Sequence, residues 1–445
     1  MANLITHSLS YNKESIFEYF IKPLFVENDI RELVDIRLDI KSGEKLDFVD
    51  NLEKITKAYA QGTSFTSSTG VTITQKTLSV DDMKAEVQQN GKAFLNYVKQ
   101  VALKKGYAEN DITDTLFEEI VLAVFMDGLK ADLQRQLWFG DTEAEQRTSN
   151  IPNGSADTDY NVYDGFWKRI IDDVTATTIP AAQFIDINST TYLDTAAVAE
   201  VDTATVSGTA GTLGLTVNGT TYSEAFDTDI ETTIDNFIAS HAATVLAREG
   251  EVVVAKASAS TISVTSGIAG LGITTVDGSA GGNMAASVAN TTANVATGAI
   301  KTDGAKAAMK AAYNAMPSVL KKNKSMAKFM VTSSVADNFR DSIESGAFND
   351  AQRILIDGTE MLKYRGIEIV EMCDWDDRID SDFDYYPHRI LLTIPSNLVV
   401  GHDGRMDDGD IEMFYDQTTQ NNFFRVEYKV GTQYVHPEYL VLAYA

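Results

Sequence analysis

Between about residues 200 and 298 the sequence changes character in the middle of an otherwise mixed chain. Thr, Ser, Ala, Gly and Val dominate there and basic residues almost vanish, after which ordinary helix and strand patterns resume. Such a block is expected to be a small, separate α+β unit inserted into a host domain. The host must then be assembled from halves far apart in sequence, with strands returning late to domains begun early. Inside the block, Leu213–Val217, Thr221–Phe226, Glu251–Ala257 and Thr261–Thr265 read as strands. Asp229–Ala247 reads as a helix with Ile230, Ile234, Phe237, Ile238 and Val245 on one face and Asp227 or Thr228 as the cap. Gly278–Gly298 reads as a low-complexity linker.

The host begins with an extended arm, residues 1–33, carrying one short amphipathic helix. Ser10 or Asn12 is its expected cap, and Ile16, Phe17, Phe20 and Ile21 form a stripe before Pro23. A helix this short needs something else to pack on. Residues 34–88 read as a long, polar, two-stranded excursion. Val34, Ile36, Leu38 and Ile40 alternate with charged residues, Gly43 turns the chain, Gly62–Gly70 is a loop tip, and Val71, Ile73, Leu78 and Val80 mark the return strand. An isolated hairpin is marginal in water, so this one is expected to rest on another domain or another chain. A helical block over Val87–Lys105 follows. Then comes the longest helix, about Ile112–Leu137, with Thr115 and Glu118 as a capping box and Ile112, Leu116, Ile120, Val124, Leu129, Leu133 and Leu137 as its apolar face. Tyr163–Ile171 is a short amphipathic helix, followed by a loop with Pro180.

After the insert, Asp303 is the expected cap of a helix running towards Pro317. Lys328–Thr332, Tyr364–Met372, Arg389–Ile394, Asn397–Gly401, Glu412–Tyr415, Phe423–Val430 and Tyr439–Tyr444 read as strands, and Val335–Ser345 as a helix. The fold class is α+β, and 445 residues suggest two to three domains.

Composition and spacing argue against several kinds of chemistry. A net charge of −27 has the wrong sign for a protein that holds nucleic acid by itself, although it suits a wall that repels its contents. Apolar runs such as Ile120–Met126 are far shorter than the roughly 18 residues of a membrane span, and the first residues carry no secretory pattern. The single cysteine, Cys373, rules out an intramolecular disulfide and reads as a small buried hydrophobe at a strand end. His7, His241, His388, His402 and His436 show no zinc spacing, and no phosphate-binding loop is present. Two acidic runs, Asp374–Asp384 and Asp403–Glu412, lack EF-hand spacing. Within them Asp376, Asp377, Asp407 and Asp408 are candidate cation ligands, but solvated loops or interface ion pairs are the preferred reading, because Arg378 and Arg405 lie inside the runs. Trp138-Phe139-Gly140 reads as core packing rather than a stacking site. No catalytic residue and no cofactor are assigned.

The order of pieces resembles the major capsid proteins of tailed bacteriophages, with the Hong-Kong-ninety-seven-type capsid fold. Tyr163-Asp-Gly-Phe-Trp looks like the short helix that opens that family's axial domain. Met316–Ser334, with a helix ending at Met-Pro and a strand leading to a helix, is similar to a later segment. Tyr364–Glu371 looks like a later strand of that family, and Asn397–Asp403 followed by Phe423–Tyr434 looks like its closing segment. The resemblance covers most of the chain except the insert, no single motif is specific, and the style is closest to phages of Bacteroidota, crAss-like ones among them. It implies an N-terminal arm (1–33), an extended hairpin loop (34–88), a peripheral domain with a spine helix (89–154), an axial domain in two parts (155–199 and 299–400) around the insert (200–298), and a return to the peripheral domain (401–445).

By the same resemblance the chain is a virion shell subunit assembled in the host cytoplasm. Its partners are copies of itself in hexamers and pentamers, a separate scaffold protein, a portal and in some cases decoration proteins, around DNA enclosed without sequence-specific binding. Phe17, Phe20, Lys54, Lys57, Phe65 and Lys76 are the candidate intersubunit contacts. The family's lysine–asparagine crosslink is not expected from Lys54, Lys57 or Lys76 with Asn421 or Asn422, since nothing marks a catalytic acid. The rival readings are a tail or adhesin protein whose insert binds a receptor, and a cellular nanocompartment shell.

Overall fold

A computed structural model describes residues 32–37, 40, 43–49, 73–90, 116–146, 155–156, 158–344, 353–356, 359–383, 385–402 and 412–445. The expected arm helix with Phe17 and Phe20, and the hairpin tip with Lys54, Lys57 and Phe65, lie outside these residues. The chain forms two compact units, each assembled from separate stretches. The architecture is mixed α+β, as expected.

The first unit takes residues up to Leu137, Tyr163–Phe166 and Ser396–His436. Its centre is the strand Asn421–Tyr434, long enough to serve several partners at once. Asp81–Asn90 pairs antiparallel with it from Asn421↔Asn90 to Val430↔Asp81. Glu412–Asp416 and Leu398–His402 also lie antiparallel to it, and Asp35–Arg37 adds parallel to Leu398–His402. Asp81–Asn90 corrects the sequence reading, which began a helix at Val87. The strand alternates over Met83–Val87, with Met83 buried and Ala85 and Val87 half-buried on one side, before Gln88 and Gln89 are both buried, and its pairing with a strand more than 300 residues away is invisible locally. Glu44–Val49 and Ile73–Leu78 form an antiparallel hairpin base; the outgoing strand expected over Val34–Ile40 is corrected, because Asp35–Arg37 joins Leu398–His402 and the hairpin strand begins only after Gly43.

Helix α1, Leu116–Phe139, is 24 residues long, about 36 Å at 1.5 Å per residue. Its buried face runs through Val121, Phe125, Leu129 and Leu137; Leu129 and Leu137 are as expected, but Val124 and Leu133 are only half-buried, and Val121 and Phe125 take the buried places. The stretch Ile120–Met126 is apolar almost all round, so periodicity does not select a side there. Phe125 packs near Phe424, with ring centroids 6.3 Å apart.

The second unit takes Trp138–Val162, Trp167–Pro395 and Pro437–Ala445. It holds a seven-stranded sheet in the order Arg353–Ile356, Thr359–Tyr364, Ile367–Glu371, Lys328–Val331, Arg389–Thr393, Val441–Tyr444, Phe184–Asp186. Its core gathers Met309 and Ala312 of the helix Gly304–Ala315, Phe339 of the helix Ser333–Glu344, and sheet residues Phe329, Val331, Ile390 and Leu392. The helices of this unit are α2 (Phe166–Thr175), α3 (Ile230–Arg248), α4 (Gly304–Ala315), α5 (Ser318–Lys322), α6 (Ser333–Glu344) and α7 (Cys373–Arg378). Asp303 does not cap α4 as expected. It sits at φ 62° with no side-chain cap bond, and Asn338 of α6 accepts from the Ala305 N–H instead, at 3.1 Å.

The insert lies within this unit and has its own core, which includes Val206, Leu215, Ile234, Phe237, Ile262 and Val264. One sheet runs Val253–Ser258, Thr261–Thr265, Val201–Ser207, Ala285–Thr292. The other runs Thr220–Ala225, Gly211–Val217, Thr275–Asp277, with Ala280–Gly282 also on Gly211–Val217. The predicted linker Gly278–Gly298 is therefore largely strand. Ala285–Thr292 pairs along all of Val201–Ser207, and its small side chains hid that pairing from a reading based on hydrophobic alternation. Asp229, rather than Asp227 or Thr228, caps α3 by accepting from Thr232 N–H at 2.8 Å. The two chain crossings into the insert run side by side. Val198 and Val295 exchange both backbone hydrogen bonds, at 2.9 and 3.2 Å, and Asp194 N–H donates to Ala299 O at 3.0 Å.

Candidate functional site

The elements that bear on function are the hairpin base of the first unit, the aromatic core of the second, and the charges the fold leaves on its surface.

The hairpin base is clamped to its own sheet. Ile40, Leu46, Leu78 and Val399 form a small buried cluster against which Val80 and Val435 pack. Gln433 donates from Nε2 to Thr77 O at 3.1 Å. Gly431 lies so close to the hairpin's exit that an added Cβ would stand 1.8 Å from Ser79 O. Lys76 does not project freely. Its ammonium sits 3.2 Å from the centroid of the Tyr434 ring, a cation–π contact within the unit. Asn422 is buried and donates to Gln89 O, while Asn421 accepts from Asn90, so both belong to the sheet.

The second unit brings the chain's three tryptophans together. Trp375 lies 4.9 Å from Trp138 and 5.1 Å from Trp167, both edge-on. Phe139 stacks on Phe383 at 5.3 Å, and Tyr160 meets Phe383 edge-on at 5.1 Å while its hydroxyl donates to Asp382. Trp138 and Phe139 are thus core residues, as their position after a long helix suggested. Arg389 enters this aromatic wall with 2% of its surface exposed. Its guanidinium lies 4.9 Å from the Trp167 centroid and 5.3 Å from that of Phe139, and donates to the carbonyls of Tyr386 and Tyr385 at 2.9 and 3.3 Å. Among the described residues no carboxylate pairs with it. Burial holds its pKa down to about 10, with the neighbouring tyrosines acting against the shift, so it stays charged at neutral pH. Sequence reasoning did not find this residue. Its only trace is the aromatic run Tyr385-Tyr386 just before it. The arrangement packs these aromatic rings around one buried cation.

Lys168 on α2 gathers Glu143 at 3.1 Å, Asp172 at 3.4 Å and Asp141 at 3.8 Å. Burial alone would lower its pKa, but Asp141, Asp172 and Glu143 outweigh that and raise it. Glu251 of the insert, at φ 58°, has its carboxyl raised by burial, with Lys168 pulling the other way. Inside the insert, Glu249 is fully buried and accepts from the Tyr222 hydroxyl at 2.6 Å.

The acidic run after Glu371 adopts helix α7 and then a π turn, Ile379–Phe383. Asp376 accepts from Ser333 N–H at 2.8 Å at the start of α6, and burial raises its carboxyl. Asp377 is exposed. Among the described residues no three His, Cys, Asp or Glu side chains converge as metal ligands. Asp407 and Asp408 lie outside those residues. Cys373 is exposed, not buried as expected. Met372 occupies the buried place at the strand end, and the thiol is pushed up by partial burial. His388 is buried between Ser334 Oγ at 2.8 Å and Gly298 O at 3.0 Å, and burial lowers its pKa.

No family model matches the sequence, and no curated protein matches it. The chain is similar to several solved structures at low identity. A chain of the satellite phage P4 procapsid including the size determination (Sid) protein is 8% identical with a TM-score of 0.43, over 98% of this chain and 92% of that one. A chain of Mycobacterium phage Ogopogo is 9% identical with a TM-score of 0.40, over 94% and 92%. A chain of the capsid of cyanophage P-SCSP1u is 13% identical with a TM-score of 0.38, over 97% and 94%. None of these three names a phage of a Bacteroidota host, so the expected host has no support from them.

Proposed function

We propose that this chain is the major capsid protein of a tailed bacteriophage, with a Hong-Kong-ninety-seven-type fold, building an icosahedral head around double-stranded DNA. In this reading copies assemble in the host cytoplasm into hexamers and pentamers with the help of a separate scaffold protein, a portal occupies one vertex, and decoration proteins are optional. The first unit is then the peripheral domain, and the second the axial domain carrying the insert. No catalytic role is assigned.

The observation that carries the reading is the return of Asn421–Tyr434 to Asp81–Asn90, with most of the second unit's sequence lying between the two strands. It supports the order of arm, hairpin, spine helix, second domain and homecoming strand that the capsid resemblance implies. The hairpin adds support. Its base is clamped to its own sheet, yet among the described residues Glu44–Val49 and Ile73–Leu78 pair only with each other. Two strands alone are marginal in water, and a neighbouring subunit is the natural support.

The test is expression of the chain alone and with a candidate scaffold protein, followed by negative-stain electron microscopy. Closed shells or capsomer rings are expected. A clean monomer under both conditions overturns the reading.

A further inference from the structure

The chain carries a net charge of −27, yet residues 301–328 hold seven lysines and a single aspartate. The densest part is the corner between α5 and the strand Lys328–Val331, where Lys321, Lys322 and Lys324 are exposed around Met326, itself 59% exposed. Lys321 donates to Asn314 O at 3.2 Å. Among the described residues neither it nor Lys322 nor Lys324 has an ion-pair partner. Three like charges and a bare methionine on so acidic a chain mark a surface with a partner still to come.

The topology places the complement. Lys328–Val331 runs parallel to Ile367–Glu371, from Lys328↔Glu368 to Val331↔Glu371. The lysine corner immediately precedes the first strand, and α7 immediately follows the second. The two therefore sit at opposite ends of one sheet, separated by strands about 13 Å long. That exceeds the Debye length of about 8 Å at physiological salt, so they do not neutralise each other within a subunit. At the α7 end, Asp376 and Asp382 are occupied by Ser333 and Tyr160. Asp374, Asp377 and Asp380 remain exposed, without ion pairs among the described residues; Arg378 on the same helix attracts Asp374, which leaves the three aspartates a net acidic face.

We propose that the lysine corner of one subunit seats on the Asp374–Asp377–Asp380 face of the next copy of this chain. A patch and its complement at opposite ends of one element give a heterologous contact, which repeats from copy to copy and closes into rings. The inference rests on the assembly reading above. Charge pairs of this kind set register and encounter rate, so assembly should slow as salt rises.

The experiment compares four full-length chains under conditions where wild type forms shells: wild type, Lys321→Glu/Lys322→Glu/Lys324→Glu, Asp374→Lys/Asp377→Lys/Asp380→Lys, and the chain with all six changes. Each reversed triplet is expected to leave soluble subunits with no shells by electron microscopy, and the sixfold variant to assemble again, because its patches are complementary once more. Circular dichroism separates loss of contact from loss of fold, and a neutral Lys321→Gln/Lys322→Gln/Lys324→Gln chain, expected to assemble at least tenfold more slowly than wild type, serves if the reversals do not fold. Shells from the lysine-reversed chain at the wild-type rate overturn the proposal. If those shells also hold less DNA, the corner serves a polyanion instead. A folded sixfold variant that stays unassembled overturns it too. Wild type that never assembles removes the capsid reading itself, and that is seen before any variant is made.

Discussion

Asn188 acts as a strand partner for Ala197: its Nδ2 donates to the Ala197 carbonyl at 3.0 Å and its Oδ1 accepts from the Ala197 N–H at 2.6 Å. Both backbone groups of a nearly buried residue are thereby satisfied just before the chain enters the insert. Asn188→Ala removes both bonds at once and leaves two groups to find water or stay unpaired. The expected cost is about 2–3 kcal/mol in urea unfolding of the free subunit. An unchanged midpoint would mean that the backbone bonds across the neck, Val198 with Val295 and Asp194 with Ala299, hold it without Asn188.

Arg389 offers a contrast between volume and charge. A buried cation without a carboxylate is weak evidence for stability, since its desolvation offsets much of what its contacts contribute. Arg389→Met keeps the stem against Trp167 and Phe139 while removing the charge, and is expected to stay within about 1 kcal/mol of wild type, with the orphaned Tyr385 and Tyr386 carbonyls balancing the relieved charge. Arg389→Ala also empties the space between the rings, and is expected to cost about 3 kcal/mol or more. Thermal unfolding of both variants checks this. Equal losses would show that the guanidinium, not the packing, is what the site needs.

These two residues show where sequence reading stopped. Strands rich in β-branched residues, such as Thr261–Thr265, and the amphipathic helix α2 were legible because one face is buried and the other is not. Ala285–Thr292 was not, because its pairing rests on backbone and small side chains. Asp81–Asn90 was not, because its partner lies more than 300 residues away. Asn338 replaced Asp303 as a helix cap because a neighbouring helix brought a better acceptor to Ala305. The lysine-rich corner went unmarked in the sequence, because its seven lysines are spread over residues 301–328 and only three of them gather at the corner. Its relation to the aspartates of α7 required knowing that two strands run parallel.

Gly431 should be the least replaceable glycine of the first unit. An alanine methyl would stand 1.8 Å from Ser79 O and 3.1 Å from Val80 Cα, and backbone cannot move aside as a side-chain tip can. Gly431→Ala is expected to cost about 3 kcal/mol and to loosen the hairpin base, read as faster amide exchange over residues 73–80. Gly401→Ala meets only the Leu78 and Val80 side chains at 3.0–3.1 Å and should cost about 1 kcal/mol. If the order is reversed, the hairpin is not seated as described.

Alkaline pH tests the buried tyrosines. Tyr428 in the first unit and Tyr386 in the second are each pushed up to about 12, burial being the main cause in both. An unfolded tyrosine ionises near 10, so between pH 10 and 12 the folded state keeps protons that the unfolded chain has lost. Stability must then fall as pH rises, by about 1.4 kcal/mol per pH unit for each such group. Arg389 works in the opposite direction. Its folded pKa of about 10 lies below the unfolded value, so above pH 10 it adds stability. One arginine against two tyrosines, with Tyr385 and Tyr444 also raised by burial, leaves a net loss. Tyr428→Phe removes one titrating group and is expected to flatten the decline by about 1.4 kcal/mol per pH unit, measured by urea unfolding of the free subunit at half-unit steps from pH 9.5 to 12. A slope unchanged by the substitution would place Tyr428 in contact with water and the first unit's core elsewhere.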